Sequence, residues 1–494
     1  MTQKLNTDNG LQGRWTRTTG YNSTYPKGGV TCSKDSFVVN QTLVFQIKFC
    51  ANNLPLRKPQ HVITNLKKLK MKLSSLLFFI IFISTSAFSQ IKTASFFHRS
   101  KGDIIGPNGQ RFMIKATNVS CWLYQENYIF GGAQNVHETA KKNLNEMLGP
   151  NAYDDFSKEM MEQFITSEDI ILMKKMGFNA VRVGFSAESF ENDSTKSWLF
   201  SSLDRLIPVF RENNMAIILS MMRAPKPQNK LWTSSYTKGA TLLWDAEEAK
   251  QRAATIWSEI AGRYKHEPII LGYDIINEPN ISKKREKELI DLYQKISIAI
   301  RAQDQNHMII YEGNGFGTKM AVLSKYDSLL DSNGCYQFHF YSWFGNKIEK
   351  DLPKHMISAW KNDRPIFCGE FGINRLSTIK RQVEFMNAIT DMDGWAMYTW
   401  KTLELNLSDE EKKRPPYYGQ WFFIPFKHLH MSILQFYMDE EMRDVMDWLT
   451  NVKGSTKPNA ITIKSVIDKI ILAVDSKNCK IDNKHLEALG LRSN

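Results

Sequence analysis

From Ile104 onward, short apolar runs alternate along the chain with longer stretches that show helical spacing. The first run, Asp103-Ile104-Ile105, is followed by the turn residues Pro107-Asn108-Gly109-Gln110 and by a second run from Arg111 to Thr117, a hairpin pattern. Further strand-like runs are Ala180 to Phe185, Ala216 to Leu219, Leu271 to Ile276 and Met308 to Tyr311. Tyr336 to Phe340, Pro365 to Cys368 and Trp395 to Tyr398 complete the series. Between them, apolar positions recur every three or four residues over Trp198–Glu212, Ala246–Tyr264, Lys283–Gln303, Ile348–Lys361 and Ile379–Asp391. Ser167-Glu168-Asp169 caps another helix that runs toward Met176.

The strand runs are apolar throughout rather than alternating. That pattern suits a parallel sheet covered on both faces. Eight strand-plus-helix units between residues 90 and 400 predict an α/β fold, a (β/α)8 TIM barrel preceded by a short N-terminal hairpin. An open doubly wound sheet is the alternative, but no Gly-rich dinucleotide fingerprint supports it. After Trp400 the pattern changes. Residues 404–421, with Pro415-Pro416-Tyr417-Tyr418, read as a polar loop over the barrel mouth, and Met431 to Leu449 as a closing helix. The barrel domain then spans residues 90–450, and residues 451–494 form a helical C-terminal extension.

The chain has 494 residues, 42% hydrophobic and 23% charged, enough for a large core. A net charge of +13 invites a nucleic-acid reading. Its distribution removes that reading. Residues 1–72 carry twelve Lys or Arg against two Asp, so ten of the thirteen charges precede residue 73. Met71-Lys72, the apolar Leu76 to Ile83 and the small residues up to Ser89 make residues 71–89 a secretory signal peptide. The apolar part is short of the roughly 20 residues that span a bilayer, so no stable membrane span is expected. Residues 1–70 read as a disordered leader or as an over-extended reading frame ahead of a start at Met71. A secreted, periplasmic or extracellular location follows. Apart from Cys32 and Cys50 in the leader, the cysteines are Cys121, Cys335, Cys368 and Cys479, in no metal-binding pattern.

Two glutamates follow buried strands, Glu278 in Gly272-Tyr273-Asp274-Ile275-Ile276-Asn277-Glu278-Pro279 and Glu370 in Cys368-Gly369-Glu370-Phe371-Gly372. An ionised carboxylate there needs partners. In such a barrel, catalytic groups sit at the carboxyl ends of strands, here the fourth and the seventh. Two carboxyls about 5–5.5 Å apart are the requirement for retaining glycoside hydrolysis.

With these motifs the chain resembles glycoside hydrolase family 5, the cellulase family of clan A, over residues 100–402. Asn277-Glu278-Pro279 is similar to the acid/base signature and Gly369-Glu370-Phe371-Gly372 to the nucleophile strand. Arg182 matches the arginine after the second strand, His339-Phe340-Tyr341 the His-x-Tyr of the sixth, and Trp400 the tryptophan of the eighth. Asn118-Val119-Ser120-Cys121-Trp122 resembles the first-strand exit. The resemblance implies that Glu278 is the acid/base, needing a raised pKa, and that Glu370 is the nucleophile, kept ionised by Arg182 and Tyr341. It further implies that Asn277 bonds the sugar's 2-hydroxyl, that His339 sits beside the acid/base, and that Trp400 presents a flat face to the sugar. Trp122, Tyr124, Trp232 and Trp343 are candidate subsite aromatics, whereas Trp244 and Trp257 lie at helical positions and are assigned to packing.

Each residue alone has a plain structural reading. Asn-Glu-Pro can start a helix, Glu370 can be a cap, and His339 and Trp400 can be core. Their order along one strand series is what favours the catalytic reading. One departure stands out. The family's usual histidine at the end of the third strand is replaced in Leu219-Ser220-Met221-Met222-Arg223 by Met222. A hydrogen-bond donor to the sugar would be missing, with Arg223 a possible substitute, which puts the standard cellulase substrate in question. The expected function is a secreted retaining β-glycosidase, endoglucanase-like, on a β-glucan-like polysaccharide or oligosaccharide. Mannanase, exo-glucanase and glycolipid-cleaving variants, and a non-catalytic carbohydrate-binding protein on the same barrel, are the alternatives. No cofactor and no metal is implied, since His137, His266, His355 and the other histidines are scattered. The expected partner is a carbohydrate and not nucleic acid, and the expected state a monomer.

Overall fold

Eight of the strand runs close into a ring. The computed structural model describes residues 95–124, 126, 137–231, 234, 238–342, 347–372, 375–404, 432–451 and 454–492. The leader and signal-peptide expectations, nearly all of the 404–421 loop, Trp232 and Trp343 lie outside the described residues. The strands are β1 (His98–Ser100), β2 (Asp103–Ile105), β3 (Ile114–Leu123), β4 (Ala180–Ser186), β5 (Ala216–Arg223), β6 (Ile270–Asp274) and β7 (Met308–Glu312). They continue with β8 (Gly334–Tyr341), β9 (Ile366–Gly372), β10 (Gly394–Met397), β11 (Lys401–Leu403), β12 (Leu434–Phe436) and β13 (Lys480–Ile481). β3 to β10 form a closed barrel in chain order, all neighbours parallel. Helices connect the strands, and the architecture is the expected (β/α)8 barrel.

Side chains of a strand alternate between faces. Ala116, Ala180, Ile218, Leu271, Ile310, Cys335, Phe367 and Ala396 therefore meet in one apolar cluster that fills the lower barrel. Two residues further along the same strands the chain turns polar and remains buried: Asn118, Arg182, Ser220, Glu312 and Gln337. The barrel interior is thus apolar at its amino-terminal end and charged toward its carboxyl end. The outer faces pack against the helices in a second, larger cluster. At the closing seam β10 meets β3 at Gly394, whose φ is +109°. A Cβ there would lie 1.9 Å from the Ile114 carbonyl oxygen, so the position needs glycine.

The predicted hairpin is present but pairs differently. β2 is antiparallel to β1, which precedes it, and reaches Arg111 only through an isolated bridge at Ile105. Residues from Ile114 onward belong to the barrel because their alternate side chains continue its inner layer. Two helices, His137–Leu148 and Ala152–Gln163, were not expected from the sequence.

The C-terminal extension also differs from a helical appendage. β11 pairs parallel with β12, and β12 antiparallel with β13. The predicted closing helix is shorter, starting at Glu440, because Leu434–Phe436 is taken up in this sheet. Ile463, Val466, Ile470 and Val474 of the extension are buried in the main cluster. Lys401 ties the parts together. Its Nζ donates to the carbonyls of Phe164 (2.7 Å) and Val474 (2.8 Å) and lies 3.0 Å from Asp169. Among the described residues, no helix is long and apolar enough to cross a membrane.

Candidate active site

The upper barrel layer is built around Arg182. Its guanidinium is fully enclosed and donates to Asp274 (2.6 and 2.9 Å), Glu370 (2.7 Å), Glu312 (3.1 Å), Asn118 (2.9 Å) and Asn277 (2.8 Å). Burial would lower the pKa of Arg182, but Asp274, Glu370 and Glu312 outweigh it and raise it. Arginine offers only donors, so the contact with Asn277 must be to its Oδ1. The Asn277 amide is thereby oriented with Nδ2 as the remaining donor.

Glu370 lies on β9 and is 4% exposed. Tyr341 donates to its Oε2 at 2.8 Å and Arg182 to its Oε1 at 2.7 Å. Burial pushes its pKa up, yet His339, Arg182 and Tyr341 together hold it below the usual carboxylate range.

Glu278 sits four residues past β6 with a φ of +47°. A non-glycine residue there costs on the order of 1–3 kcal/mol and persists only when its surroundings fix it. Here they do. Asn277 N donates to Met221 O (3.0 Å), Glu278 N to Glu312 Oε2 (2.9 Å), Gln228 Nε2 to Asn277 O (2.9 Å) and Asn229 Nδ2 to Glu278 O (2.9 Å). The side chain faces His339 Nδ1 at 3.0 Å. Burial, together with the nearby Glu370 charge, raises the Glu278 pKa, against the opposing pull of His339.

His339 lies on β8 between carboxylates. Burial would strip its proton, but Glu312, Glu370 and Glu278 outweigh this and lift its pKa well above the ordinary value. Ligand-capable atoms of Glu278, His339 and Glu370 all fall within 4.8 Å of one another. That spacing would suit a cation, but Arg182 and a protonated His339 already supply the positive charge between these carboxylates. The two carboxylates therefore face one shared space with opposite tendencies, Glu278 to hold a proton and Glu370 to give one up.

Arg182, Asn277, Glu278, His339, Tyr341 and Glu370 thus converge as expected from the sequence. Trp400 and Trp122 do not. Trp400 is fully buried, with its indole N–H on Asp169 Oδ1 at 2.8 Å and its ring edge-on to Phe178. It lies three residues past the end of β10, where the chain has already turned into the β11 sheet. Trp122 is 1% exposed and donates to the Met161 carbonyl at 2.8 Å, held under the helix Ala152–Gln163. Both are core residues because each indole N–H finds its acceptor in the packing around the barrel.

Met222 is buried and packs with Tyr124 over Gly184, where a Cβ would approach Met222 Cγ to 2.4 Å. Arg223 lies over the Tyr124 ring (5.7 Å) and 3.8 Å from Glu188. Sequence reasoning missed Glu312, Asp274 and Gln337, which complete the Arg182 network. For Glu312 a signal existed: Met308 and Ile310 face inward, so the next alternate position does too. Burial pushes Glu312 up to about 7, against His339 and Arg182.

The family model described as Cellulase (glycosyl hydrolase family 5) matches residues 139–404. That segment includes β4 to β11 and all six converging residues. A β-xylosidase from Phanerodontia chrysosporium is 27% identical over 248 residues, 49% of this chain and 51% of that protein. The chain thus spans about half the length of that relative. Endoglucanase C from Acetivibrio thermocellus is 24% identical over 324 residues, 53% of this chain and 91% of that protein. A rutinosidase structure from Aspergillus niger superimposes with a TM-score of 0.45 at 16% identity, over 59% of this chain and 90% of that one. The family model takes in more than half of the residues, and the chain belongs to glycosyl hydrolase family 5.

Proposed function

We propose that the protein is a secreted retaining β-glycosidase acting on a β-glucan-like polysaccharide or oligosaccharide. The opposed protonation of Glu278 and Glu370 within one shared space carries this reading. In the first step the Glu370 carboxylate attacks the anomeric carbon and the bond to the leaving oxygen breaks. Glu278 passes its proton to that oxygen, leaving a glycosyl ester on Glu370. In the second step a water attacks the same carbon, gives its proton to Glu278 and releases Glu370. Arg182 and Tyr341 keep Glu370 ionised before attack. The Asn277 Nδ2 donor suits the sugar's 2-hydroxyl, a contact that tightens as charge develops.

The relatives support a β-linked neutral sugar but name different ones, an endoglucanase and a β-xylosidase. The glucan reading follows the endoglucanase, which is matched over most of its length. Secretion rests on the residue pattern of 71–89.

The test is a pair of variants on aryl β-glycosides and oligosaccharides. Glu370→Ala should abolish hydrolysis, and azide should restore turnover by giving the inverted glycosyl azide. Glu278→Ala should lower kcat/KM about 10²–10⁴-fold on unactivated oligosaccharides and far less on substrates with good leaving groups. Full activity in Glu370→Ala, or equal losses on both substrates in Glu278→Ala, would refute the assignment. In the intact protein, kcat/KM should rise with pH as Glu370 ionises, below the usual carboxylate range. It should fall again as Glu278 loses its proton, above that range.

A further inference from the structure

Four consecutive strand ends carry Glu278, Glu312, His339 and Glu370, and Glu312 takes no part in the two steps above. It ends β7 and has no exposed surface. Its Oε2 accepts the Glu278 backbone N–H at 2.9 Å. Its Oε1 accepts Gln337 Nε2 (2.7 Å) and Arg182 Nη2 (3.1 Å), and faces His339 Nε2 at 3.4 Å. The other ring nitrogen, Nδ1, lies 3.0 Å from Glu278 and 3.6 Å from Glu370. A carboxylate–imidazole–carboxylate line therefore runs from Glu312 through His339 to the acid/base.

We propose that Glu312 is a positioning residue for the acid/base, keeping His339 an imidazolium on one side and seating the Glu278 backbone on the other. This rests on Glu278 being the acid/base. When Glu278 passes its proton to the leaving oxygen, the new carboxylate finds an N–H donor already aimed at it. When Glu278 later takes a proton from water, the same donor keeps its oxygens oriented.

The carboxyl groups around His339 agree on the sign of the effect, and Arg182 opposes it. Glu278 from the β6 exit, Glu312 from β7 and Glu370 from β9 are all carboxyl groups. Gln337 on its own strand is neutral, but its Nε2 donor lies 3.3 Å from His339 Nε2 and opposes a proton there, and the His339 backbone N–H donates to Gly317 O at 3.2 Å. The nearby cation, Arg182, is already divided among Asp274, Glu312 and Glu370. The loop after β7 packs on both partners: a Cβ at Gly317 would lie 3.1 Å from Glu312 Oε2 and from the His339 backbone nitrogen. Glu312 is thus the carboxyl group facing the ring nitrogen opposite the acid/base.

Glu312→Gln keeps the shape and removes the charge. In 15N-histidine-labelled protein, the titration midpoint of His339 should fall by about one pH unit or more in this variant. Its kcat/KM on an unactivated oligosaccharide should fall about 100-fold, and on a dinitrophenyl β-glycoside by less than about fivefold, because that leaving group needs no proton. Glu312→Asp restores the charge and should recover most of the His339 midpoint. An unmoved midpoint, or equal losses on both substrates, would show a merely structural residue and overturn the proposal. The unmutated protein gives a reading that needs no variant: a neutral His339 at pH 7 also overturns it. If the unmutated protein cleaves no β-glycoside at all, the glycosidase reading fails, while the His339 titration still decides the role of Glu312.

Discussion

Asp169 shows how one residue can change the meaning of its neighbours. It lies in the first turn of the helix Ser167–Met176, where its Oδ2 accepts the Thr166 backbone N–H at 2.9 Å, as a helix cap should. Its Oδ1 meanwhile accepts Trp400 and faces Lys401, both from the end of the barrel. The tryptophan that sequence position assigns to the sugar is therefore spent on this carboxylate. Trp400→Phe should leave the KM for any substrate within about twofold and cost roughly 1–3 kcal/mol in a urea melt, since it leaves a buried acceptor short of a donor. A large rise in KM with unchanged stability would return Trp400 to the cleft. Glu278, Glu370, Arg182, Asn277, His339 and Tyr341 were legible because each lies in a short motif at a strand exit. Glu312 was not, because one polar residue after an apolar run looks like the end of a strand. Trp400 and Trp122 misled because distance past a strand does not tell which way a ring turns.

At the scale of elements, the barrel strands were legible because most of their residues are apolar on both faces, as a covered parallel sheet requires. The small sheet β11–β12–β13 was not. Its strands are two or three residues long and come from three distant parts of the chain, so no local period marks them. Leu403, Leu434 and Phe436 bury the sheet in the main cluster, and a buried cation adds a polar tie. Lys401 has no exposed surface and its three acceptors belong to Phe164, Asp169 and Val474. Lys401→Met should cost about 3–5 kcal/mol, because it leaves the Asp169 charge enclosed without its partner. The check is chemical denaturation of both proteins, and a loss below about 1 kcal/mol would show that Asp169 is satisfied without the lysine.

For the whole molecule, two histidines folded in uncharged form contribute acid sensitivity, opposed by Asp393 and Glu312, which burial pushes up to about 7. His355 stacks on Phe338 with ring centroids 4.7 Å apart, and burial lowers its pKa to about 4. Burial likewise lowers His485 to about 4. In the unfolded chain both would take up a proton near pH 6.5. At these two sites the folded state takes up fewer protons in that window, so their contribution to stability is full above about pH 6.5 and is lost as the pH falls toward 4. Each group contributes on the order of 1.4 kcal/mol per pH unit within that window. Relative to the unmutated protein, His355→Leu should therefore gain Tm as the pH falls from 6.5 to 4.5. Equal slopes in the two proteins would assign the acid sensitivity elsewhere.

The seam at Gly394 bears on how the chain reaches this state. The ring closes only when Gly394 settles against Ile114, and Lys401 is satisfied only once Val474 has been made. A chain emerging from the ribosome can stack its βα units one after another, but it holds an open sheet edge until residue 394 and, from Lys401 on, a buried ammonium one acceptor short until residue 474. Completion of the fold is thus deferred until residue 474 has been made. A polypeptide halted between Lys401 and Val474 would have all eight barrel strands and the lysine, but not the Val474 carbonyl that completes its partners.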